Sequence, residues 1–140
     1  MLRIVTVCAL TALAAPAAAN EAVNRFEAAS ETLSAKINTV LVLENPAMAG
    51  KTPDVIWDEA HRTAGACILA TVAGEAGAPA MTQLIVGLER AAGQTYSSLA
   101  EIGAASAVQV EGIKSSRLQE ITDACGMTTL TMQRMVDAAG

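Results

Sequence analysis

The sequence is organised around residues 52–77, which read TPDVIWDEAHRTAGACILATVAGEAG. This stretch predicts a central helix, because Thr52 can cap its N-terminus and Pro53 suits the first helical position. Gly77 and Pro79 predict where that helix ends, since glycine and proline commonly follow a helix C-terminus. The same stretch holds the only Trp and the only His of the chain.

The segment from residue 21 to residue 44 shows the clearest helical period of the chain. Its apolar side chains recur at spacings of three and four residues, the pattern of a helix that packs lengthwise on others. Asn45 and Pro46 predict the end of this helix. The predicted seam consists of Val23, Phe26, Ser30, Leu33, Ile37 and Val40.

Two further helical segments complete the chain. The third runs from about residue 79 to residue 106, either as one helix or as two helices broken near Gly93 and Gln94. The last covers about residues 110–138, and Gly126 can interrupt it. Hydrophobic residues make up 52% of the chain and aromatic residues only 2%. This alanine-rich composition predicts an all-α fold, an antiparallel bundle of about four main helices.

The first 19 residues have the features of a signal peptide. Arg3 precedes an apolar run over residues 4–15, and the small residues 17–19 predict cleavage after Ala19. Residues 20–140 are then expected to form a single helical-bundle domain. The apolar run is too short to span a bilayer, and no later segment has about 18 consecutive apolar residues. The sequence therefore predicts an exported protein without a membrane span, periplasmic if the source is bacterial and secreted otherwise.

Cleavage would leave two cysteines, Cys67 and Cys125. In an oxidising compartment the expected state of such a pair is one disulfide. Each cysteine falls on the predicted apolar stripe of its own helix, so the disulfide is expected to join two helices through the core. Closing so long a loop would stabilise the fold by about 4 kcal/mol.

The formal net charge of −5 excludes several classes of partner. Nucleic acid binding requires a basic face that displaces counterions. An anionic membrane surface likewise attracts basic segments. The expected partner is therefore another protein or a small apolar ligand.

His61 is the first candidate for chemistry. The inner face of the central helix is predicted to carry Trp57, Ala60, Ala64, Cys67, Ile68 and Thr71, with His61 at its edge. Asp58 and His61 have the carboxylate-x-x-His spacing of di-iron bundles. Such sites need two of these motifs, and the chain has one histidine. No cofactor is predicted, and a boundary histidine beside an indole is the favoured interpretation.

The methionines Met127, Met132 and Met135 are the second candidate. Thioethers bind Cu(I), and His61 with one methionine could ligate haem. Met132 and Met135 are, however, predicted to face inward, where methionine fills irregular gaps. No metal site is therefore predicted, and the weak candidates for ligands are His61, Asp58, Met132 and Met135.

No catalytic site is predicted. The serines lack a nucleophile motif, and both cysteines of the mature chain are expected to be oxidised. Glu75 and Glu89 flank a turn and could approach each other, although solvated helix ends are the favoured interpretation. The expected function is binding, as an interaction, inhibitor or accessory protein, with Trp57 and Tyr96 as candidate contact residues. The alternative is a carrier of a small molecule, metal or haem in a cavity near His61, and an enzyme is the third hypothesis.

Overall fold

The computed structural model describes residues 15–140, which form six α-helices. No named strand occurs in this part of the chain, where an isolated bridge joins Val110 to Ile113. The predicted all-α bundle with an inter-helix disulfide is confirmed. The helices are α1 (Ala15–Glu44), α2 (Glu59–Ala76), α3 (Ala78–Ala92), α4 (Leu99–Ser106), α5 (Ser115–Ala124) and α6 (Met127–Ala139).

Most of the predicted signal peptide, residues 1–14, lies outside the described residues. Its last five residues, 15–19, belong to α1, which continues without a break through the predicted cleavage site. Within residues 15–140, no helix has both the length and the apolar character needed to cross a membrane.

The long helix α1 contacts α2, α3 and α4. Its predicted seam is confirmed at Phe26, Leu33 and Val40, which are buried, and Ala22 and Ala29 join them. The helix ends at Glu44, directly before the Asn-Pro pair that predicts its end. A 3-10 turn, Pro46–Met48, follows.

The predicted start of α2 is wrong. The helix begins at Glu59, so Thr52 is not its N-cap. Asp58 takes that role, because its Oδ1 atom accepts a hydrogen bond from the backbone N–H of His61 at 2.9 Å. Aspartate is among the best N-cap residues, and here it outcompetes the threonine-proline pair.

Residues 51–58, which we call the strap, have no helical structure. Asp54 explains part of this, because its Oδ1 atom accepts the backbone N–H of Ile56 at 3.0 Å. Such a local turn competes with helical hydrogen bonding. Val55, Ile56 and Trp57 add to the effect, since branched and aromatic side chains lose rotamer freedom in a helix.

Several other helix boundaries lie at or near glycine residues. Gly77 lies between α2 and α3 with φ of +88°, and Gly126 separates α5 from α6 with φ of +84°. The third segment is two helices, and Gly93 is the C-cap of the first of them. The last segment becomes helical only at Ser115, because Gly112, with φ of +82°, allows a tight turn before it.

The buried apolar side chains form two clusters. Each fully buried Val, Leu, Ile or Phe side chain contributes about 1.5–3 kcal/mol relative to an exposed one. The first core cluster consists of Ala22, Phe26, Ile68, Leu69, Val72, Ala80, Leu84, Ile85, Val110, Ile113 and Ile121. The second core cluster consists of Ala29, Leu33, Val40, Ala91, Ala92 and Ile102.

The inner face of α2 differs from the predicted one. Trp57 lies in the strap and not in the helix, and Ala60 and Cys67 are exposed. The disulfide joins α2 to the C-cap of α5 at a Cα–Cα distance of 5.7 Å. Since Cys67 is exposed and Cys125 half-buried, it lies at the surface and not in the core, contrary to the prediction. The buried residues of α2 are His61, Ala64, Gly65, Ile68, Leu69 and Val72.

Candidate functional site

A partly open cavity of about 350 Å³ lies beside the first core cluster. All six helices and the strap contribute residues to its wall. Its size and mainly apolar lining are typical of small-molecule sites in proteins. The apolar wall includes Phe26, Ile37, Val55, Trp57, Ile68, Leu84, Leu88, Val108, Leu118, Met127 and Met135, and the polar wall includes Ser30, Ser34, Asn38, His61, Thr122, Thr131 and Arg134.

Half-buried side chains around the first core cluster form much of this wall. Trp57, Leu88, Val108, Leu118 and Met127 all pack against that cluster, and all line the cavity. Their contact with the core fixes their positions, so the cavity wall is supported by the packing of the fold.

The strap covers one side of the cavity and is held by three polar contacts. The side-chain amide of Asn38 donates to the carbonyl oxygen of Pro53 at 2.9 Å. The backbone N–H of Trp57 donates to Glu31 Oε1 at 2.7 Å. Arg134 of α6 donates from Nη1 to the carbonyl oxygen of Asp54 at 3.0 Å. The strap is thus anchored to both α1 and α6.

The indole of Trp57 anchors the strap on its apolar side. It packs edge-to-face on Phe26, with ring centroids 5.7 Å apart. It also lies directly over Gly65, where a Cβ atom would come within 2.4 Å of the ring. Gly65 therefore provides the space that the indole occupies.

His61 is the buried polar residue at this site, with 4% of its surface exposed. Its Nδ1 atom lies 2.7 Å from Asp58 Oδ1. Among residues 15–140, the His61 ring forms this hydrogen bond through Nδ1, and its Nε2 atom forms none. The His61 side chain is part of the cavity wall.

The carboxylate of Asp58 accepts a hydrogen bond from the Nδ1 atom of His61. Hydrogen bonds from the ring and the backbone N–H of His61, with a further one from Arg134, hold the pKa of Asp58 well below its usual range. An ionised carboxylate only accepts hydrogen bonds. The ring nitrogen Nδ1 therefore carries a proton and donates it in the hydrogen bond to Asp58.

Arg134 completes this arrangement and was not predicted from the sequence. Its Nη2 atom donates to Asp58 Oδ2 at 3.1 Å, while its Nη1 atom holds the strap. Met127 and Thr131 precede it by seven and three residues and also line the cavity. Its spacing of seven and three residues from Met127 and Thr131, which places the three on one side of a helix, is the signal that could have identified it.

Two of the four weak candidates for metal ligands are neighbours in the structure. Asp58 and His61 are brought together, but through a hydrogen bond between their own side chains. Within the described part of the chain, no three His, Cys, Asp or Glu side chains lie close enough to hold a metal ion.

The prediction that Met132 and Met135 fill the core is wrong. Their side chains are 56% and 48% exposed. The α6 helix starts anew at Met127 after the left-handed Gly126, so the apolar stripe of α5 does not continue in the same register. Met127 packs against the first core cluster, and Met135 borders the cavity.

The two aromatic contact candidates are both half-buried. Trp57 belongs to the cavity wall. The hydroxyl of Tyr96 donates to the carbonyl oxygen of Ala91 at 2.6 Å. The Nζ atom of Lys36 lies 6.0 Å from the centroid of the Tyr96 ring.

The carboxylates of Glu75 and Glu89 each bind a different arginine. Glu89 accepts two hydrogen bonds from Arg25, at 2.8 Å and 2.7 Å, and Glu75 accepts from Arg117 at 2.5 Å. These hydrogen bonds lower the pKa of both carboxyl groups. Two ionised carboxylates in separate ion pairs do not form an acid and base couple.

No protein-family model, curated protein or solved structure matches this chain. The geometry of the cavity and the His61 site therefore provides the basis for a functional proposal.

Proposed function

We propose that this protein binds a small, largely apolar molecule in the cavity beside His61. The observation that carries the proposal is a mainly apolar, partly open cavity whose wall includes a buried histidine. Ligand sites typically combine such an apolar wall with a few polar groups that orient the ligand.

The contacts of His61 favour binding without catalysis. Nucleophilic catalysis by a histidine needs a hydroxyl or thiol within hydrogen-bond reach. Ser30 and Ser34 share the cavity with His61, yet neither hydrogen bonds to it within residues 15–140. The two remaining thiol candidates are joined to each other.

We further propose that the protein is exported. The Cys67–Cys125 disulfide supports this, because such bonds persist in oxidising compartments. N-terminal sequencing of the protein from its native source should place the first residue at Asn20. A mature chain that begins at Met1 would contradict export through the predicted signal peptide.

The cavity can be tested with octan-1-ol, using Trp57 as the reporter. Trp57 is the only tryptophan and lines the cavity, so a bound ligand should change its fluorescence saturably with one molecule bound per chain. The Ser30→Leu substitution fills part of the cavity and should weaken binding by about tenfold or more, since overpacking typically costs about 1–3 kcal/mol.

Ser116→Leu is the matched control, because Ser116 is exposed on α5. It should bind octan-1-ol as the unmodified protein does. The proposal fails if octan-1-ol shows no saturable binding, or if both variants bind it equally well.

A second candidate function is binding to another protein, and the surface of α6 favours it. Met132 and Val136 are 56% and 62% exposed. Exposed apolar groups of this kind are enriched at interaction sites when they form a patch. A partner captured from the exported fraction should be lost with Met132→Glu and Val136→Glu together, and retained with Thr129→Glu. A strictly monomeric protein that captures nothing would count against this candidate.

A further inference from the structure

We propose that α6 is a hinged lid over the mouth of the cavity, which pivots at Gly126 and is held closed by Arg134. The inference rests on the proposed binding function and adds the route by which a ligand enters and leaves the cavity. Three observations carry it, namely the position of the mouth, the attachment of α6 to the other helices, and the contacts at the two ends of the lid.

The mouth of the cavity lies between the strap and α6. Among the lining residues that the structure describes, most are buried or half-buried. The exposed ones are Asp54 of the strap and Thr131 and Met135 of α6. Residues that line a cavity and also reach the surface mark its opening. A molecule that enters the cavity therefore passes between the strap and α6.

The attachment of α6 to the fold is weaker than that of the other five helices. It contains no buried residue, whereas each of the others contributes at least one to the two core clusters. Within residues 15–140, it packs on α2 and α5 but not on α1 or α3, which line the cavity as well. Elements with few buried apolar contacts open at a lower free energy than the core does. The lid is thus the part of the cavity wall that opens most readily.

The N-terminal end of α6 is a pivot next to a fixed point. Cys125 is bonded to Cys67 of α2 and packs against the first core cluster, and Ile121 of α5 is 1% exposed. The chain is therefore held in place up to Cys125. Gly126 follows with φ of +84°, and a Cβ atom there would have nothing within 4 Å. Because glycine adopts either sign of φ, the chain can change direction at this residue.

Arg134 holds the lid closed at the mouth. Its Nη1 atom donates to the carbonyl oxygen of Asp54 at 3.0 Å, and its Nη2 atom donates to Asp58 Oδ2 at 3.1 Å. Thr128, beside the pivot, bonds to Asp123 of α5. The hydrogen bonds of Arg134 are thus the ones that join the lid to the opposite side of the mouth.

Opening the lid breaks the two hydrogen bonds of Arg134 and uncovers no buried residue of α6. The open state is therefore a minor population of the folded protein, and ligand exchange takes place through it. A substitution that destabilises the closed lid raises this population. It should accelerate association and dissociation by a similar factor, so that the dissociation constant changes much less than either rate constant.

Stopped-flow fluorescence of Trp57 with octan-1-ol, on the disulfide-bonded protein, tests the contacts of Arg134. Arg134→Gln should raise both rate constants about fivefold or more, as expected for the loss of a charged hydrogen bond near the surface. Arg117→Gln is the matched control, because Arg117 joins α5 to Glu75 of α2 and is not among the cavity-lining residues. It should leave both rate constants unchanged. Unchanged rates in Arg134→Gln, or equal acceleration in the two variants, would overturn the inference.

Two substitutions at Gly126 test the pivot. The closed lid requires a positive φ at this residue, which alanine disfavours and asparagine tolerates. Gly126→Ala should therefore accelerate the exchange of octan-1-ol about fivefold or more, and Gly126→Asn should do so much less. The same exchange rate in these two variants would rule out Gly126 as the pivot and overturn the inference.

Acrylamide quenching of Trp57 without octan-1-ol separates this inference from the proposed function. Trp57 is half-buried in the cavity wall, so an open lid should admit acrylamide to the indole. Quenching should increase in Arg134→Gln and Gly126→Ala but not in Arg117→Gln or Gly126→Asn. If quenching follows this order and octan-1-ol does not bind, the binding function fails and the lid stands. Equal quenching in all four variants would overturn the lid, even if octan-1-ol binds.

Discussion

The indole of Trp57 rests directly on the backbone of Gly65. A Cβ atom added at Gly65 would lie 2.4 Å from Cζ3 and 2.8 Å from Cη2 of the indole. Gly74, in the same helix, has nothing within 4 Å of the corresponding position. The contact at Gly65 places the strap against α2, and through the strap it shapes the cavity.

The first prediction compares alanine substitutions at these two glycines. Gly74→Ala should raise the free energy of unfolding by about 0.5–1 kcal/mol, because glycine in a helix interior is unfavourable relative to alanine. Gly65→Ala should lower it by about 1–2 kcal/mol, since displacing a packed indole outweighs that gain. Urea unfolding measures both changes. Equal stabilisation by the two substitutions would show that Trp57 does not pack on α2.

The second prediction concerns acid stability and Asp58. The pKa of its carboxyl is lowered in the folded protein by hydrogen bonds from His61 and Arg134. A group with a lowered folded pKa stabilises the fold above its unfolded pKa, about 4, and loses that contribution as the pH falls towards its folded pKa. Asp58→Asn keeps a residue suitable for capping but should make stability less dependent on pH below about 4.

The control for this experiment is Glu111→Gln, because Glu111 is exposed and takes part in none of the ion pairs of residues 15–140. Urea unfolding is measured for each variant at neutral pH and at about pH 3. If Asp58→Asn loses as much stability on acidification as the unmodified protein, the carboxylate does not provide the predicted contribution.

The third prediction concerns the disulfide, which joins cysteines 58 residues apart in the sequence. Replacing both cysteines with alanine should lower the free energy of unfolding by about 3–4 kcal/mol, mainly because the unfolded chain gains freedom. Cys67 is exposed, so little core packing is lost with it. The reduced protein should match the double variant in urea unfolding. A reduced protein as stable as the oxidised one would refute this account.

The fourth prediction concerns Arg134 as an anchor of the strap. Arg134→Gln removes the contacts with Asp54 and Asp58, so amide hydrogen exchange in the strap should become faster. Arg90→Gln, at an exposed position of α3, serves as the control and should leave strap exchange unchanged. Unaltered exchange in Arg134→Gln would mean that the contacts with α1 and α2 hold the strap without Arg134.

Much of the fold could be predicted because its boundaries depend on local chemistry. Asn45 and Pro46 mark the end of α1, and Gly77 and Gly126 mark two further boundaries. These residues end or separate helices through their own backbone preferences, which depend only on residue type. The start of α2 could not be decided this way, because Thr52 and Asp58 are both capable caps. The hydrogen bonds of the strap to Asn38 and Glu31 favour the second of them.

The candidate site was predicted only in part. His61 and Asp58 were paired by their spacing along the chain, and the structure brings them together. The burial of His61 was missed, because the helix face was counted from Trp57, which is not helical. Arg134 lies 76 residues from Asp58 in the sequence. No local pattern reports such a contact, which arises only when α6 packs beside the strap.

The cavity draws its wall from every helix of the described chain, and this has a thermodynamic consequence. No single helix contains the complete site, so ligand binding and folding form one coupled equilibrium. A ligand present at 100 times its dissociation constant would add about 2.7 kcal/mol to the stability of the entire domain. This is a large part of the total stability of such a fold, about 5–15 kcal/mol. The rate of proteolysis of the chain would therefore depend on the concentration of ligand around it.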